Sequence, residues 1–354
     1  MKNKIIVFSF LGYIFLFSLM HIVIPDKSIS DTERRKLKEF PKFEFSSAYI
    51  TELDEYLLDH FPFRDKFRSI KANYNFYVLN HLDNNGIYLS GDYIFKTEYP
   101  TNKDSVDKFL NNTDKLLGLL NENNNVYMVI VPDKNYYLDD KNFLQIDYDY
   151  IYDKVNTLDV NHIDIKDILT LEDYYETDTH WKQENILKVV KRLSETMNFE
   201  YQDLDYKYNT YDKFYGVYYG ESALSRDPEK ITYLTNDIIS NAKVEYLENE
   251  KLTTVYNEEN LESLDSYEVY LDGASAFIEI YNDNNTSGKE LIIFRDSFGS
   301  SITPLLIPYY SKITVIDNRY MMSDFIKQSV VFDNQDVLFL YSTLIVNNSG
   351  SLKG

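Results

Sequence analysis

Hydrophobic and polar positions change their spacing along the chain, and the first segment is almost purely apolar. Ile5 to Ile24 are twenty residues with no formal charge at neutral pH apart from the titratable His21. At ~1.5 Å per residue they span roughly 30 Å, the thickness of a bilayer's hydrocarbon core. Pro25 ends the run. The pattern predicts an N-terminal transmembrane helix.

A cleaved secretory signal and a buried core helix are the alternatives for this run. Signal peptides usually have an apolar core of ~7–15 residues that ends in small residues. This run is longer and ends in Met20-His21-Ile22-Val23-Ile24. We therefore predict an uncleaved anchor in the cell membrane. Lys2 and Lys4 place the amino terminus in the cytoplasm and the following chain outside.

After the anchor the pattern is charged and then helical. Residues 26–50 are charged and contain Pro41, which indicates a juxtamembrane linker. Residues 51–80 have a helical pattern that Phe61-Pro62-Phe63-Arg64 interrupts, since Pro ends a helix or begins another. We divide the chain into a cytoplasmic stub with the anchor at 1–25, a linker at 26–50 and one α/β domain at 51–354.

From about residue 104, helical periodicity alternates with short apolar runs. Runs such as Val126–Val131 are typical of strands buried on both faces. Strands separated by helices predict a mostly parallel sheet flanked by helices. The predicted strands are 126–131, 162–165, 291–294, 312–316 and 337–341, and the predicted helices are capped by Asp104, begin near Lys182, and cover 303–310 and 321–328.

Residues 201–285 break this alternation. They are rich in Tyr, Asp, Glu and Asn and have few long apolar runs. We interpret them as an insertion with β character, which serves either as a lid or as a docking surface.

Composition and charge exclude several functions. The formal net charge of −21 argues against nucleic-acid binding, which depends on neutralising phosphates with Lys and Arg. The chain has no cysteine, which excludes disulfides, thiolate catalysis and Cys-ligated zinc. A hydrophobic content of 44% is typical of a folded protein.

The candidate chemistry begins at Thr177-Asp178-Thr179-His180-Trp181. In an extended segment, Asp178 and His180 project to the same side, so the carboxylate can orient the imidazole and stabilise its protonated form. Ser297 follows the predicted strand 291–294 at the carboxyl edge of the sheet, where sites form. Its N–H and that of Phe298 can point towards an oxyanion. The hypothesis is a triad of Ser297, His180 and Asp178.

Each of these residues also has a structural interpretation. Asp296 or Ser297 can cap the following helix, and Thr177, Asp178 or Thr179 can cap the helix near Lys182. Asp178 and His180 could instead be two metal ligands, but the sequence lacks a convincing third ligand, so no metal site is predicted.

Three further side chains are candidates for substrate binding. Trp181 either stacks on a sugar ring or fills the core. Arg295 and Arg319 both follow predicted strands, which places them near the same edge of the sheet. Arg319 either binds a substrate oxygen or carboxylate, or pairs with Asp317.

Several stretches together resemble the DHHW family, the SGNH-hydrolase-like relatives of the alginate O-acetyltransferase accessory proteins. The similarity covers about residues 30–345, in matching order and spacing. The stretches are Glu33-Arg34-Arg35-Lys36-Leu37, Asp59-His60-Phe61-Pro62-Phe63-Arg64, Gly86-Ile87-Tyr88-Leu89, Val131-Pro132-Asp133-Lys134, Tyr174-Tyr175-Glu176-Thr177-Asp178-Thr179-His180-Trp181, Arg295-Asp296-Ser297-Phe298 and Ile316-Asp317-Asn318-Arg319-Tyr320.

The resemblance implies an SGNH-like fold and assigns catalysis to Ser297, His180 and Asp178. The chain has Asp-Thr-His-Trp where the family name has Asp-His-His-Trp, as the acetyltransferase relatives also do. Arg295 stands where the usual Gly-Asp-Ser has glycine, so the family's oxyanion hole is not carried over.

The implied function is extracytoplasmic O-acetylation of a cell-surface or exported polysaccharide through an acetyl-serine. A membrane-bound O-acyltransferase would supply the acetyl group, and no cofactor or metal is required. The alternatives are an acetylesterase that uses the same site and a non-catalytic envelope scaffold or glycan-binding protein.

Overall fold

The computed structural model describes residues 2–138, 142–197 and 199–353. Met1 and Gly354, the outer limits of the predicted domains, lie outside the described residues. The chain forms two compact units. The first unit is the chain up to Ile87 together with Val217–Asp227, and the second unit is Tyr88–Gly216 together with the chain from Pro228 onward. The division at 25, 50 and 51 stays a prediction.

The α-helices follow one another along the whole chain. In chain order they are α1 (Lys2–Val23), α2 (Ser47–Asp59), α3 (Arg64–Asn73), α4 (Lys103–Leu117), α5 (Tyr148–Val155), α6 (Leu187–Met197), α7 (Val217–Ser222), α8 (Asp237–Asn241), α9 (Ser297–Leu306), α10 (Ser323–Ser329) and α11 (Thr343–Asn347). One turn of π-helix, Tyr74–Val78, continues α3.

The strands are mostly short. In chain order they are β1 (Ile29–Ser30), β2 (Arg35–Lys36), β3 (Asp83–Asn84), β4 (Ile87–Ser90), β5 (Tyr93–Lys96), β6 (Asn125–Val131), β7 (Asn161–His162), β8 (Lys207–Phe214), β9 (Glu229–Thr235), β10 (Lys243–Tyr246), β11 (Phe277–Tyr281), β12 (Glu290–Arg295), β13 (Lys312–Ile316) and β14 (Asp336–Ser342).

In the first unit, α1 is long and apolar enough to cross a membrane, with a mean hydropathy of 2.2 over its most apolar part. The predicted interruption at Phe61-Pro62 lies between α2 and α3. Ser46 begins α2 by accepting a hydrogen bond from the Tyr49 N–H at 3.1 Å, as N-cap residues do.

The second unit is built on a seven-stranded sheet with the order β10-β11-β13-β12-β14-β6-β7. The pairs from β13 to β7 are parallel, and β10 and β11 add an antiparallel edge. The predicted α/β class, with a mostly parallel sheet flanked by helices and an N-terminal apolar helix, is confirmed.

The core of the second unit covers both faces of this sheet. Leu291 and Ile293 pack into one hydrophobic cluster and Ile292 and Phe294 into the other, because successive strand residues point to opposite faces. The interior of β12, Leu291–Phe294, is therefore apolar at every position, as expected for a central parallel strand.

Four sequence predictions need correction. Residues 201–285 form the β8–β9 hairpin but also contribute β10 and β11 to the main sheet, so they are more than an insertion. Asn102, whose side chain accepts from the Ser105 N–H at 3.1 Å, caps α4 in place of Asp104. The strand predicted at 162–165 is only Asn161–His162. The helix predicted from Thr303 begins at Ser297.

Candidate functional site

The corner between β12 and α9 positions Ser297. Asp296 is the N-cap of α9, and its carboxylate accepts hydrogen bonds from the Phe298 N–H at 2.9 Å and from the Ser342 N–H of β14 at 2.8 Å. Because this buried cap immediately precedes Ser297, the helix begins there and not at Thr303. Ser297 is thus the first residue of α9, at the carboxyl edge of the parallel strands.

A tight antiparallel turn positions Asp178 and His180. Tyr174 and Trp181 pair across it, and the Tyr175 N–H donates to the His180 carbonyl at 3.1 Å. The Asp178 carboxylate accepts from the His180 backbone N–H at 3.0 Å. The i and i+2 relationship expected from the sequence is therefore present, held by the turn's own backbone.

The structure brings Ser297, His180 and Asp178 together. His180 Nδ1 lies 2.6 Å from Asp178 Oδ1, and His180 Nε2 lies 2.8 Å from Ser297 Oγ. Asp178 is 1% exposed and His180 9%, whereas Ser297 is only half-buried. A buried carboxylate, a buried imidazole and the hydroxyl of a half-buried serine therefore form one hydrogen-bonded line, the geometry in which an imidazole can take the serine proton while the carboxylate orients it.

Two aromatic rings lie against the imidazole of His180. The ring of Tyr267 stacks on His180 with centroids 3.8 Å apart and planes 8° apart, and Phe298 lies tilted at 5.0 Å. The Tyr267 hydroxyl donates to Ser301 Oγ at 2.9 Å, and burial raises the pKa of Tyr267 well above its usual value. Tyr267 therefore stays protonated and acts on His180 through its ring.

Trp181 is fully buried beside the triad. Its indole N–H donates to Ser301 Oγ at 2.8 Å and to the Phe298 carbonyl at 3.2 Å. These bonds join the turn that carries His180 to the first turn of α9. The structure gives Trp181 this packing role, and its predicted contact with a sugar stays a prediction.

Arg295 is also fully buried, with its guanidinium turned towards the protein. It donates to Ser300 Oγ at 2.9 Å and to the Gly273 carbonyl at 3.1 Å, and it lies 3.4 Å from Asp317. Gly299 packs so closely on Arg295 that a methyl group there would overlap the arginine side chain. These contacts stabilise the β12–α9 corner, and substrate binding by Arg295 stays a prediction.

Arg319 forms an ion pair with Asp317, which is the alternative that the sequence offers to substrate binding. Its Nε and Nη2 donate to the two carboxylate oxygens of Asp317 at 2.9 and 2.6 Å. Burial lowers the pKa of Arg319, but the hydrogen bonds and charge of Asp317 outweigh it and raise the pKa above the usual value. The side chain is 18% exposed, and its binding to substrate stays a prediction.

Glu229 and Gly216 support the Asp178 turn from within the 201–285 region. The Glu229 carboxylate accepts from the Glu176 N–H at 2.7 Å, the Thr177 N–H at 2.7 Å and the Thr177 hydroxyl at 2.5 Å. The Gly216 N–H donates to Thr177 Oγ1 at 2.9 Å. The sequence carried no local signal for either residue, because nothing near them indicates that they return to this turn.

Lys134 supports the same turn from the end of β6. Its buried ammonium donates to the carbonyls of Tyr175 and Glu176, both at 3.0 Å. Burial lowers the pKa of Lys134 to about 7, although the charge of Asp178 opposes the shift. Lys134 lies in a stretch that carried the family resemblance, which was the available signal, but the sequence assigned it no role.

Of the two N–H groups expected to point towards an oxyanion, those of Ser297 and Phe298, only that of Ser297 remains a candidate. The Phe298 N–H is occupied by Asp296 and so is not available to a substrate. The Ser297 N–H has no acceptor within the described part of the chain, and it points from the N-terminus of α9, where partial positive charge favours an anion. Among the described residues, no group of three or more His, Asp or Glu side chains could hold a metal ion.

The fold and this relay define an α/β protein with a Ser-His-Asp line at the sheet's carboxyl edge, and comparisons with known proteins agree on the fold. No protein-family model and no curated protein matches the chain. A solved DHHW family protein from Eubacterium siraeum DSM 15702 is similar, with 20% identity, a TM-score of 0.63 and coverage of 77% of this chain and 97% of that chain.

Bacillus cereus PatB1 is similar as well, with 16% identity, a TM-score of 0.58 and coverage of 73% of this chain and 96% of that one. Its structure with a sulfonyl adduct gives 17% identity, a TM-score of 0.56 and coverage of 73% and 97%. The O-acetyltransferase domain of Pseudomonas putida AlgJ gives a TM-score of only 0.40 at 10% identity, over 74% of this chain and 92% of that chain. The resemblance to the DHHW family is confirmed at the level of the fold.

Proposed function

We propose that this chain is an O-acetyltransferase that modifies a glycan outside the cytoplasm through an acetyl-serine at Ser297. The observation that carries the proposal is the continuous hydrogen-bonded line from Asp178 through His180 to Ser297, with only Ser297 open to solvent. Serine is a weak nucleophile on its own, and an adjacent oriented imidazole is the usual way to activate it.

The acetyl group moves in two steps. In the first, Ser297 Oγ attacks the carbonyl carbon of an acetyl ester, its proton passes to His180 Nε2, and the departing alcohol oxygen takes that proton. In the second, a glycan hydroxyl loses its proton to His180 and attacks the acetyl-serine. The new ester leaves, and Ser297 regains the proton from His180, so each proton that the imidazole accepts is returned.

The surroundings of the relay match the charges that develop. Asp178 accepts the Nδ1–H and stabilises the imidazolium during each step. The Ser297 N–H and the N-terminus of α9 would stabilise the oxyanion that forms on the acetyl carbonyl oxygen. This chemistry requires no cofactor or metal.

The N-terminal segment gives the reaction a location. An apolar helix long enough to cross a bilayer, preceded by Lys2 and Lys4, would hold the folded part at the outer surface of the cell membrane. A cell-surface or exported polysaccharide is then the acceptor, and a membrane-bound O-acyltransferase is the donor that delivers acetyl groups from the cytoplasmic side.

Covalent labelling of Ser297 tests the proposal. Sulfonyl electrophiles react with activated nucleophiles, and one structure of the similar PatB1 contains a sulfonyl adduct. We expect both a sulfonyl fluoride and a chromogenic acetyl ester to modify Ser297 in the wild type, as mass spectrometry of peptides would show, and to leave Ser297→Ala and His180→Ala unmodified.

The fate of the acetyl group separates the enzyme classes. The proposal expects transfer from acetyl-Ser297 to an added oligosaccharide. Release to water with no transfer would make the protein an acetylesterase with the same site. Equal labelling of wild type and Ser297→Ala would exclude the triad and favour a non-catalytic scaffold.

A further inference from the structure

Large apolar side chains are exposed mainly in the first unit, outside the anchor as well as within it. Among the described residues, seventeen such side chains are exposed between residues 24 and 82, against nine between residues 88 and 353. Soluble surfaces scatter such residues singly, whereas a dense set marks an interaction surface. Residues 40–82, which contain α2, α3 and the π-helical turn, carry most of the set.

The helix α3 has its apolar side outward. Phe63, Phe67, Ile70, Tyr74 and Tyr77 follow at steps of four, three, four and three, which is one face of a helix, and all five are exposed. The set begins at the residue that caps α3 and continues into the π-helical turn. In a soluble protein this face would cover the core.

The charged side of α3 is the one that packs on protein. Arg64 and Arg68 contact the same carboxylate, Glu33, at 2.6 and 3.2 Å, and their side chains are only 21% and 22% exposed. Burial raises the pKa of Glu33, but its bonds to Arg64 and the charge of Arg68 outweigh this and lower it. Ion pairs therefore hold the charged side of α3 against the protein, and its apolar side faces away from the protein.

Contacts with the anchor indicate what surrounds this apolar side. The ring of Phe17 in α1 stacks on Phe61 at 5.4 Å and lies 6.2 Å from Phe67. Phe17 is seven residues before Ile24, so in a membrane-spanning α1 it lies ~10 Å inside the apolar end. Helices that lie in a membrane surface bury their apolar face ~5–10 Å deep. Phe61 and Phe67 therefore sit at that depth if α1 spans the bilayer.

The distribution of charge between the two units also favours contact of the first unit with a membrane. The first unit has thirteen Lys and Arg residues and thirteen Asp and Glu residues, so its formal charge is zero and the net −21 of the chain belongs to the second unit. An anionic membrane surface would repel the second unit but not the first.

We propose that the exposed face of residues 40–82 lies in the outer interface of the lipid bilayer, as a second membrane contact beside α1. The proposal rests on the membrane anchoring stated under the proposed function. Lipid covers this face, because two of its aromatic rings, Phe61 and Phe67, also contact Phe17 of the anchor. The arrangement would hold the first unit down on the membrane surface instead of leaving it on a flexible tether.

Fluorescence quenching in membranes tests this directly. The natural chain has no cysteine, so single-cysteine variants of the full chain can each carry one environment-sensitive dye. Ile70→Cys and Tyr74→Cys report on the proposed face, Phe8→Cys reports on the anchor, and Val331→Cys is an exposed control in the second unit. Each is reconstituted in phosphatidylcholine–phosphatidylglycerol vesicles that contain lipid with a nitroxide near the headgroup end of the acyl chain.

We expect the nitroxide lipid to quench the dyes at positions 70 and 74 about twofold more than the dye at 331. Quenching at 70 and 74 equal to that at 331, with the dye at 8 quenched, would leave the anchor intact and overturn the second contact. If the dye at 8 is also unquenched, the anchor itself is wrong and this proposal fails with it. Dyes at 70 and 74 that are shielded from aqueous iodide but not quenched by lipid would place a second copy of the chain on this face, and would also overturn it.

Discussion

The imidazole of His180 lies flat on the ring of Tyr267, with centroids 3.8 Å apart and planes 8° apart. Asp178 fixes the same imidazole at its edge through Nδ1. The hydrogen bond to Asp178 and the stack on Tyr267 together fix the orientation of the ring, and in that orientation Nε2 is directed at Ser297. Tyr267 is itself held by the hydrogen bond from its hydroxyl to Ser301, so the position of the imidazole depends on a residue one helical turn after Ser297.

Two substitutions of Tyr267 distinguish the contribution of its ring from that of its hydroxyl. We expect Tyr267→Leu to lower kcat on a chromogenic acetyl ester by about 10- to 100-fold, because a tilted imidazole misaligns the proton transfer. Tyr267→Phe is the matched control, since it keeps the stack and loses only the bond to Ser301, at a cost to stability of ~0.5–1.5 kcal/mol. Equal kcat values for the two variants would contradict a role for the ring.

Asp178→Asn tests whether the carboxylate acts on the imidazole. Asparagine can still accept the His180 backbone N–H, so the turn should keep its shape. It cannot stabilise an imidazolium, and we expect kcat to fall by about 10³–10⁴-fold with little change in KM. Fluorescence of the single buried tryptophan, Trp181, checks that the site is still folded. A loss below tenfold would show that the carboxylate is only structural.

Gly216 tests the packing behind the turn. A methyl group on Gly216 would overlap the carbonyl of Thr177 next to Asp178, so we expect Gly216→Ala to displace the turn. The stability cost should be ~1–3 kcal/mol, as for overpacked sites, and the acetyl-ester activity should fall as well. Gly118→Ala is the matched control, because a methyl there meets its nearest atom, the Lys115 carbonyl, at 3.4 Å. Normal activity in Gly216→Ala would contradict tight support of the turn.

The parts of the molecule that depend on local pattern could be predicted. The strand Lys312–Ile316 could be predicted with its observed bounds because a short, largely apolar run is typical of a central strand buried on both faces. Asp178 and His180 could be paired because they are only two positions apart in the sequence, so their contact depends on local backbone alone. Ser297 could be placed at the sheet edge because it follows such a strand.

The parts of the molecule that depend on contacts between distant segments could not be predicted from the sequence. Tyr267 and Glu229 reach the site from 201–285, a region where no run of apolar residues fixes a register. A weaker signal was present in Phe277–Tyr281, whose alternate residues are buried, as expected for a strand with one face on the core. Burial of Trp181 and Arg295 also needed the fold, since both residue types occur in cores and in binding sites.

Lys134 makes stability depend on pH in a predictable direction. Burial lowers its pKa in the folded protein to about 7, whereas an unperturbed lysine has a value of 10.5. Between these values the unfolded chain binds more protons than the folded one, so the free energy of unfolding rises with pH, by at most ~1.4 kcal/mol per pH unit. Below about pH 7 both states are protonated, and the contribution no longer changes.

Lys134→Met removes this dependence. The variant also loses the hydrogen bonds to the Tyr175 and Glu176 carbonyls, but that cost does not depend on pH, so the slope and not the offset is diagnostic. Urea unfolding followed by Trp181 fluorescence at pH 7, 8, 9 and 10 would give the free energies for wild type, Lys134→Met and the exposed-lysine control Lys191→Met. We expect the wild type and Lys191→Met to gain stability relative to Lys134→Met as the pH rises. Parallel curves for all three proteins would mean that the buried ammonium keeps its proton throughout this range, held by Asp178 and Glu229 more strongly than burial opposes it.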